Sequence, residues 1–360
     1  MGTQMIYHIM IDRFAGCDPK RKGRCFKGGN LRGIIKKLDY IQSLGCNGIL
    51  LTPFYKTNEY HGYHITDYEQ VDEHFGSWND VQDLVKAVHK CGMTITADFV
   101  ANHCHISNPL VSLHPDWFKK KKDGSPKCFY EIEYLPEFNL DKTGAQHYMI
   151  EKIKHLCHIG FDAIRLDYAK GPSLNFWRNA REEIRKEYPN VLLIGEILGP
   201  PKGKHLPKWL ALLVERGTIS RQEAWQLCYV GILDGVLDFE YQSLMCKAAK
   251  SAERIAGNKS LETAVTNHFN HYADYPDYHL WLLLDNHDFN RFLYECGGDV
   301  ALLKEAIAFS QAHNHPYLLY YGTEKGMTHS GNRFSGEPFA DEQVRECMEW
   351  NKQKTNLLIL

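Results

Sequence analysis

Short apolar runs alternate with longer amphipathic stretches along the 360-residue chain. Eight of these runs have the length and composition of buried strands, and they lie at 5–11, 48–54, 93–100, 161–167, 191–197, 233–239, 279–285 and 316–322. Apolar residues recur at helical spacing between them, at 31–45, 79–92, 146–160 and 299–313, and 198–232 also reads as largely helical. Eight alternating units predict a closed (β/α)8 TIM barrel, and no glycine-rich nucleotide turn supports a doubly wound open sheet instead.

Two connections, 104–146 and 198–232, are longer than a barrel loop needs. Residues 104–146 follow the third strand and contain the polar stretch "KKKKDGSP". We therefore expect a small inserted lobe at 104–146, between the first part of the barrel (1–103) and its remainder (147–360). Residues 341–353, "DEQVRECMEWNKQ", have the composition of a last helix.

Composition and charge limit the cellular environment and the binding partners that we expect for the chain. The chain is 44% hydrophobic and 24% charged with a net charge of −2, so bulk attraction to nucleic acid or to an anionic membrane is not expected. No apolar run is long enough to span a bilayer, and the first ten residues do not resemble a signal peptide. Eleven cysteines without a CxxC pair indicate reduced thiols and a cytoplasmic protein, with a Cys17–Cys25 disulfide as the alternative. Nothing in the sequence indicates an oligomeric state.

Acidic and basic residues cluster where the predicted strands end. They are Asp98, Asn102 and His103 at the third strand, Arg165 and Asp167 at the fourth, Glu196 at the fifth, and Asp285–Asp288 at the seventh. Arg165 and Asp167 are two residues apart, which places them on one face of their strand. Because the carboxyl ends of barrel strands carry the active site, these side chains are expected to meet at one mouth.

Five of these segments resemble the signature segments of the α-amylase family of glycoside hydrolases, in the family's order. They are "ADFVANH" (97–103), "LPEFN" (135–139), "GFDAIRLDYAKGP" (160–172), "IGEI" (194–197) and "LLDNHD" (283–288). The resemblance covers roughly residues 5–350, and the "KG" pair at 170–171 is closest to plant and archaeal α-amylases. It implies a retaining α-glycosidase that hydrolyses α-1,4-glucosidic bonds of starch, glycogen or maltooligosaccharides.

The resemblance also implies a role for each matching residue. Asp167 matches the nucleophile, Glu196 the general acid/base and Asp288 the third carboxylate. Tyr63, His103 and His287 match residues that bind the sugar at the cleaved position, Arg165 keeps the nucleophile ionised, and Lys170 and Gly171 fit the leaving-group side. Asn102, Asn139 and the carbonyl of Gly171 match calcium positions, with hydrogen bonding between lobe and barrel as the equally weighted alternative; no organic cofactor is implied.

The chemistry of the residues supports the same assignment. Glycosidic cleavage by a retaining enzyme needs one carboxylic acid and one carboxylate about 5–5.5 Å apart. An arginine on the same strand face lowers the pKa of Asp167, and Glu196, which has no cation near it in sequence, has its pKa raised and stays protonated as the acid.

The sequence departs from the family pattern in two places. Only 38 residues follow Gly322, which leaves no room for the usual C-terminal β-sandwich. His64 stands where family members often have Asp or Trp. Three functions stay open. The first is hydrolysis. The second is glucanosyl transfer, or neopullulanase- or cyclomaltodextrinase-like action, by the same site, and the third and least favoured is glucan binding without catalysis.

Overall fold

A computed structural model of the protein describes residues 4–200, 205–251 and 254–350. Ten strands occur in these ranges: β1 (Met5–Ile9), β2 (Gly48–Leu51), β3 (Tyr55–Thr57), β4 (Ile65–Val71), β5 (Thr94–Val100), β6 (Ala163–Asp167), β7 (Leu192–Gly195), β8 (Gly235–Asp238), β9 (His279–Leu283) and β10 (Tyr317–Tyr320). Eight of them form a closed parallel barrel in the order β1, β10, β9, β8, β7, β6, β5, β2. The predicted barrel and its eight strands are confirmed; the antiparallel hairpin of β3 and β4 is an addition that the sequence did not indicate.

Helices follow most of the barrel strands. They are α1 (Ile11–Phe14), α2 (Leu31–Ile35), α3 (Leu38–Ser43), α4 (Trp78–Lys90), α5 (Pro109–Leu113), α6 (Thr143–Ile159), α7 (Leu174–Glu187), α8 (Lys208–Glu215), α9 (Arg221–Leu227), α10 (Phe239–Lys250), α11 (Lys259–Asn270), α12 (Phe292–Glu295) and α13 (Val300–Gln311). Short 3₁₀ turns lie at Pro115–Trp117, Phe129–Glu131, Thr323–Lys325 and Glu342–Arg345. None of the helices in the described ranges combines the length and apolarity needed to cross a bilayer.

Local sequence explains where two of the helices begin and end. The predicted helix at 79–92 is α4, which Ser77 and Asp80 start with a reciprocal capping box and which buries its predicted apolar face. The predicted helix at 31–45 is instead two helices, because Lys37 has a non-helical backbone (φ −117°, ψ 9°). The break lets the chain turn between α2 and α3 while the apolar positions of both stay buried.

The barrel interior is filled by side chains, so the chemistry is confined to its ends. The side chains that pack inside are Ile6, Leu50, Ala163, Ile194, Leu237, Phe239, Trp281, Leu283 and Leu318. A second, larger apolar layer lies between the strands and the surrounding helices. This two-layer arrangement is the one that a parallel barrel requires.

The segment after β10 corrects two predictions. The helix expected at 341–353 is reduced to the 3₁₀ turn at Glu342–Arg345, residues 346–350 are not helical, and 351–353 lie outside the described residues. Cys347 instead forms a disulfide with Cys17, with a Cα–Cα distance of 5.8 Å. The cysteines are therefore not all reduced thiols, and Cys25, the alternative partner of Cys17, is free. Met348 N donates to Arg13 O (2.8 Å), which holds this segment against α1.

Candidate active site

Three carboxylates from different strands line one cavity of about 440 Å³. Asp167 is the last residue of β6, Glu196 directly follows β7, and Asp288 lies in the loop after β9. The other predicted residues that line this cavity are Tyr63, His103, Lys170 and His287. The structure thus brings together the residues that the sequence placed at the strand ends.

A single guanidinium contacts three carboxyl groups beneath the cavity. Arg165 Nη1 donates to Asp167 Oδ1 (2.9 Å) and to both oxygens of Asp98 (2.8 and 2.9 Å). Arg165 Nη2 lies 2.7 Å from Glu196 Oε1, an ion-pair contact without hydrogen-bond alignment. Sequence reasoning found no cation beside Glu196 along the chain; in the fold, Arg165 contacts Glu196 from β6, the strand that pairs with β7. It also left the role of Asp98 unassigned.

The electrostatics of this cluster are set by burial. Burial raises the pKa of Glu196 above its ordinary value, and Arg165 only partly opposes the rise. Burial also raises the pKa of Asp167; Arg165 lowers it, but Asp98 and Asp288 add to the rise. The predicted lowering by Arg165 is present, yet the net direction is upward because one guanidinium is shared by three buried carboxyls. Such a cluster retains a proton, as a general acid requires.

Asp288 has the opposite electrostatic environment. Its Oδ2 lies 3.1 Å from His287 Nε2, and its Oδ1 accepts from Arg345 Nη2 (3.0 Å). Burial acts to raise the pKa of Asp288, but His287 and Arg345 hold it well below its ordinary value. Arg345 Nε also donates to His287 O (2.8 Å), so Arg345 orients both residues. Nothing in the sequence singled out Arg345, since it lies in the stretch predicted as a helix.

Aromatic rings and neutral imidazoles form the walls beside these carboxylates. The Tyr63 ring stacks on His287 with centroids 5.0 Å apart, and its hydroxyl donates to Asp98 Oδ2 (2.8 Å). His103 stacks on Phe129 with centroids 4.1 Å apart. Burial lowers the pKa of His103 to about 3 and that of His64, which also lines the cavity, to about 4. Both imidazoles are therefore neutral hydrogen-bonding groups at pH 7.

Two hydrogen bonds connect the loop after β6 with Glu196 and with the segment that follows it. Tyr168 has a left-handed backbone (φ 44°), and its N–H donates to Glu196 Oε2 (2.8 Å). Lys170 Nζ donates to the carbonyl of Leu198. A left-handed tyrosine is strained, and such residues persist where the surroundings hold them in place for a function.

Residues outside the barrel strands complete the rim. Arg24 Nε donates to Glu59 Oε2 (3.0 Å), and its Nη2 lies 3.3 Å from His61 Nε2. The exposed rings of Tyr130 and Phe334 line the opening as well. Loop residues of this kind carry no periodic pattern, and only the folded chain shows that they face the cavity.

The predicted calcium positions lie outside the cavity, at the junction of lobe and barrel. Asn102 is fully buried, and neither atom of its amide has a hydrogen-bond partner. The Gly171 carbonyl accepts from Lys119 Nζ (3.3 Å). Asn139 joins the same lobe through its backbone, which donates to Trp117 O (2.6 Å). The described ranges contain no group of three or more His, Cys, Asp or Glu side chains that could hold a metal ion.

Known proteins are similar to this chain in sequence over nearly its whole length. Alpha-amylase 2 of Dictyoglomus thermophilum is 30% identical over 377 residues, which cover 97% of this chain and 60% of that protein. A cyclomaltodextrinase of Thermoanaerobacter pseudethanolicus is 28% identical over 382 residues, covering 98% of this chain and 61% of that protein. The chain thus spans less than two thirds of the length of these relatives.

Structural and family comparisons agree with the sequence matches. The crystal structure of the alpha-amylase from Geobacillus thermoleovorans, complexed with acarbose, gives a TM-score of 0.77 at 27% identity and covers 99% of this chain and 76% of that one. The family model described as "Alpha amylase, catalytic domain" matches residues 8–131 and 127–356. With the strand-end carboxylates gathered at one mouth of a TIM barrel, the chain belongs to the α-amylase family of glycoside hydrolases.

Proposed function

We propose that this chain hydrolyses α-1,4-glucosidic bonds in starch- or glycogen-type glucans or maltooligosaccharides, with retention of anomeric configuration. One observation carries the proposal. Asp167 and Glu196 are both held on the Nη nitrogens of Arg165 and both face the cavity that Asp288 lines. Two carboxyl groups on one planar guanidinium are held close together, as a double displacement needs.

The proposed reaction has two steps. Asp167 Oδ attacks the anomeric carbon while Glu196 gives its proton to the leaving oxygen, so the glycosidic bond breaks as the ester to Asp167 forms. The ionised Glu196 then takes a proton from water, whose oxygen attacks the same carbon and releases Asp167. The raised pKa of Glu196 supplies the proton for the first step. Both steps use side chains of this chain alone, so no organic cofactor takes part.

The side chains around the reacting carbon are assigned by their contacts. Asp288 is ionised because of His287 and Arg345, so we assign it to hydroxyls of the reacting sugar. Tyr63 offers its ring face to that sugar, and His103 and His287 bind hydroxyls as neutral imidazoles. Lys170 lines the cavity and donates to the carbonyl of Leu198, two residues after Glu196, so we assign it to the leaving-group side; Gly171 does not line the cavity, and its role there stays a prediction. Hydrogen bonds that strengthen as the ring flattens accelerate the reaction rather than tighten ground-state binding.

Two substitutions and a control test the proposal. Asp167→Asn should remove nearly all turnover on every substrate, because the attacking oxygen loses its charge. Glu196→Gln should abolish turnover of natural glucans but spare the first step on aryl glycosides, whose leaving group needs no proton. Asp274→Asn, on the exposed surface, is the matched control and should keep wild-type rates.

Stereochemistry gives the deciding measurement. Proton NMR of fresh product from an α-linked substrate should show the α-anomer first. An initial β-anomer means inversion, and Asp167 then has to be abandoned as nucleophile. Retained binding of maltooligosaccharides without any turnover by the wild-type chain would favour the glucan-binding alternative.

The names of relatives support a second candidate with the same site. A cyclomaltodextrinase, and Neopullulanase 2 of Thermoactinomyces vulgaris at 25% identity, are among them. Separate digests of maltoheptaose, pullulan and cyclodextrin distinguish the candidates. Cleavage of pullulan or cyclodextrin at rates comparable to maltoheptaose favours the cyclomaltodextrinase-like reading, and products longer than the substrate indicate glucanosyl transfer. The likeness of the 170–171 pair to plant and archaeal enzymes stays a prediction.

We also propose that the chain acts in the cytoplasm. Nine of the eleven cysteines are not part of a disulfide, and one relative is the intracellular maltogenic amylase of Bacillus subtilis, 29% identical over 347 residues. The Cys17–Cys347 disulfide points the other way, because such bonds are rare in reducing compartments. Acid quenching of cells followed by thiol alkylation and mass spectrometry decides: labelled Cys17 and Cys347 support the cytoplasm, and fully protected ones oppose it.

A further inference from the structure

An amine lies at the lobe–barrel junction, where the family resemblance implies a calcium ion. Lys119 Nζ is 3.3 Å from Gly171 O, one of the three expected calcium ligands. It is also 3.4 Å from Glu137 Oε2, and the Glu137 side chain is only 2% exposed. The ammonium therefore already contacts an oxygen that a calcium ion would need.

The backbone of the lobe fixes where this lysine lies. Lys119 N donates to Glu137 O (2.9 Å), and Lys127 N donates to Lys119 O (2.8 Å), so two other lobe segments hold the residue. Gly171 belongs to the loop that follows Asp167 on the barrel. The side chain of Lys119 thus crosses from the lobe to the loop of the proposed nucleophile, which is the connection that a calcium ion at this junction would make.

The oxygen atoms at this junction do not suit calcium. Calcium takes six to eight oxygen ligands at about 2.3–2.6 Å, several of them carboxylate. The Gly171 carbonyl shares Lys119 with the Glu137 carboxylate and lies beside the Asn102 amide, so near that a Cβ on residue 171 would come within 2.1 Å of Asn102 Oδ1. Glu137 is the one buried carboxylate among them, and its Oε2 is shared by Lys119 and, at 3.8 Å, Lys127.

The charged side chains at the junction also argue against a bound calcium ion. Lys119 and Lys127 face Glu137, and Asp141 acts on Lys119 from farther away. A divalent cation bound to the Gly171 carbonyl would stand within a few ångströms of the Lys119 ammonium. Repulsion between like charges is strong where water is largely excluded. The junction is therefore complete in charge without a metal.

We propose that Lys119 supplies, from within the chain, the positive charge that calcium would supply between lobe and barrel. The ammonium joins Glu137 of the lobe to the Gly171 carbonyl, and the chain neither binds nor needs calcium there. The inference does not depend on the substrate or on the hydrolytic mechanism. It concerns only which cation attaches the lobe.

Thermal unfolding of the wild-type chain is the first test. After treatment with EDTA, addition of millimolar calcium chloride should move Tm by less than about 1 °C, because a ligand without a site cannot stabilise the folded state. Terbium, as a luminescent calcium probe, should give no saturable signal. A fall in Tm of several degrees in EDTA that calcium reverses in the wild type, and not in Asn102→Ala, overturns the proposal.

Lys119→Met is the second test, because it removes the charge and keeps the aliphatic stem. Glu137 and the Gly171 carbonyl then lose a partner, and Tm should fall by about 3–8 °C. The matched control is Lys120→Met at the exposed neighbouring position, which should leave Tm within about 1 °C of the wild type. Equal Tm values for the two variants also overturn the proposal. If Lys119→Met does not fold, Lys119→Arg should fold with a Tm near the wild type, and the EDTA measurement still decides.

Discussion

A buried imidazole, His268 of α11, makes the stability of this protein fall as the pH rises above neutral. His268 Nδ1 lies 2.8 Å from Glu223 Oε1, and its Nε2 lies 2.8 Å from Asp238 Oδ2. All three side chains are at most 4% exposed. Burial acts to lower the pKa of His268, but Asp238 and Glu223 outweigh it and raise the pKa to about 10. The folded protein therefore carries a charged His268 at neutral pH.

The sign and size of the effect follow from proton linkage. Below pH 6.5 the imidazole is protonated in both folded and unfolded chains, so its contribution to stability is fully present. Between 6.5 and about 10 the folded state holds one proton more, and the free energy of unfolding falls by about 1.4 kcal/mol per pH unit. Over this window the accumulated loss is about 5 kcal/mol.

Urea unfolding at several pH values between 6.5 and 9.5 measures this slope. The wild type minus His268→Gln should show the one-proton slope, since the other titrating groups cancel in the difference. Asp238→Asn, which removes one of the two carboxylates and keeps its shape, should shorten the window by lowering the pKa of His268. Parallel curves for the wild type and His268→Gln would refute the argument, because they mean that His268 binds no extra proton in the folded state.

Three further predictions concern the cavity and the disulfide. Arg165→Leu should raise the acid limb of the pH profile of kcat/KM, because Arg165 lowers the pKa of Asp167. Asp98→Asn should shift the same limb downward, since Asp98 raises that pKa; a shift of both variants in one direction would contradict the shared-guanidinium account. Cys347→Ser should cost about 3–5 kcal/mol of stability by opening a loop of 330 residues, measured by urea unfolding without reductant. An unchanged midpoint would mean that the bond does not constrain the unfolded chain.

The barrel was predictable because its signal is local. Each strand is a short apolar run bounded by polar residues, and α4 has its predicted apolar face and a capping box. The prediction of a last helix at 341–353 was wrong because of contacts with residues far away in the sequence. Arg345 is drawn to Asp288 and His287, and Cys347 is bonded to Cys17, so long-range contacts override a helical composition.

The site was predictable to the extent that its residues stand at strand ends. The sequence places Asp167 and Glu196 at one mouth, but it cannot show that Arg165 contacts both. The contact with Glu196 depends on the register of neighbouring strands, in which Arg165 lies opposite Ile194, two residues before Glu196. The rim residue Arg24 lies in a loop without periodicity, so only the folded chain shows that it faces the cavity.

The bond between Cys17 and Cys347 also determines how the molecule breaks. It closes a covalent ring that contains all eight barrel strands except β1. A protease that cuts once in an exposed loop of this ring, such as the polar stretch at 119–126 in the lobe, releases no fragment, since both pieces remain joined through the sulfur atoms. The nicked chain would migrate as one band on a non-reducing gel and as two on a reducing gel.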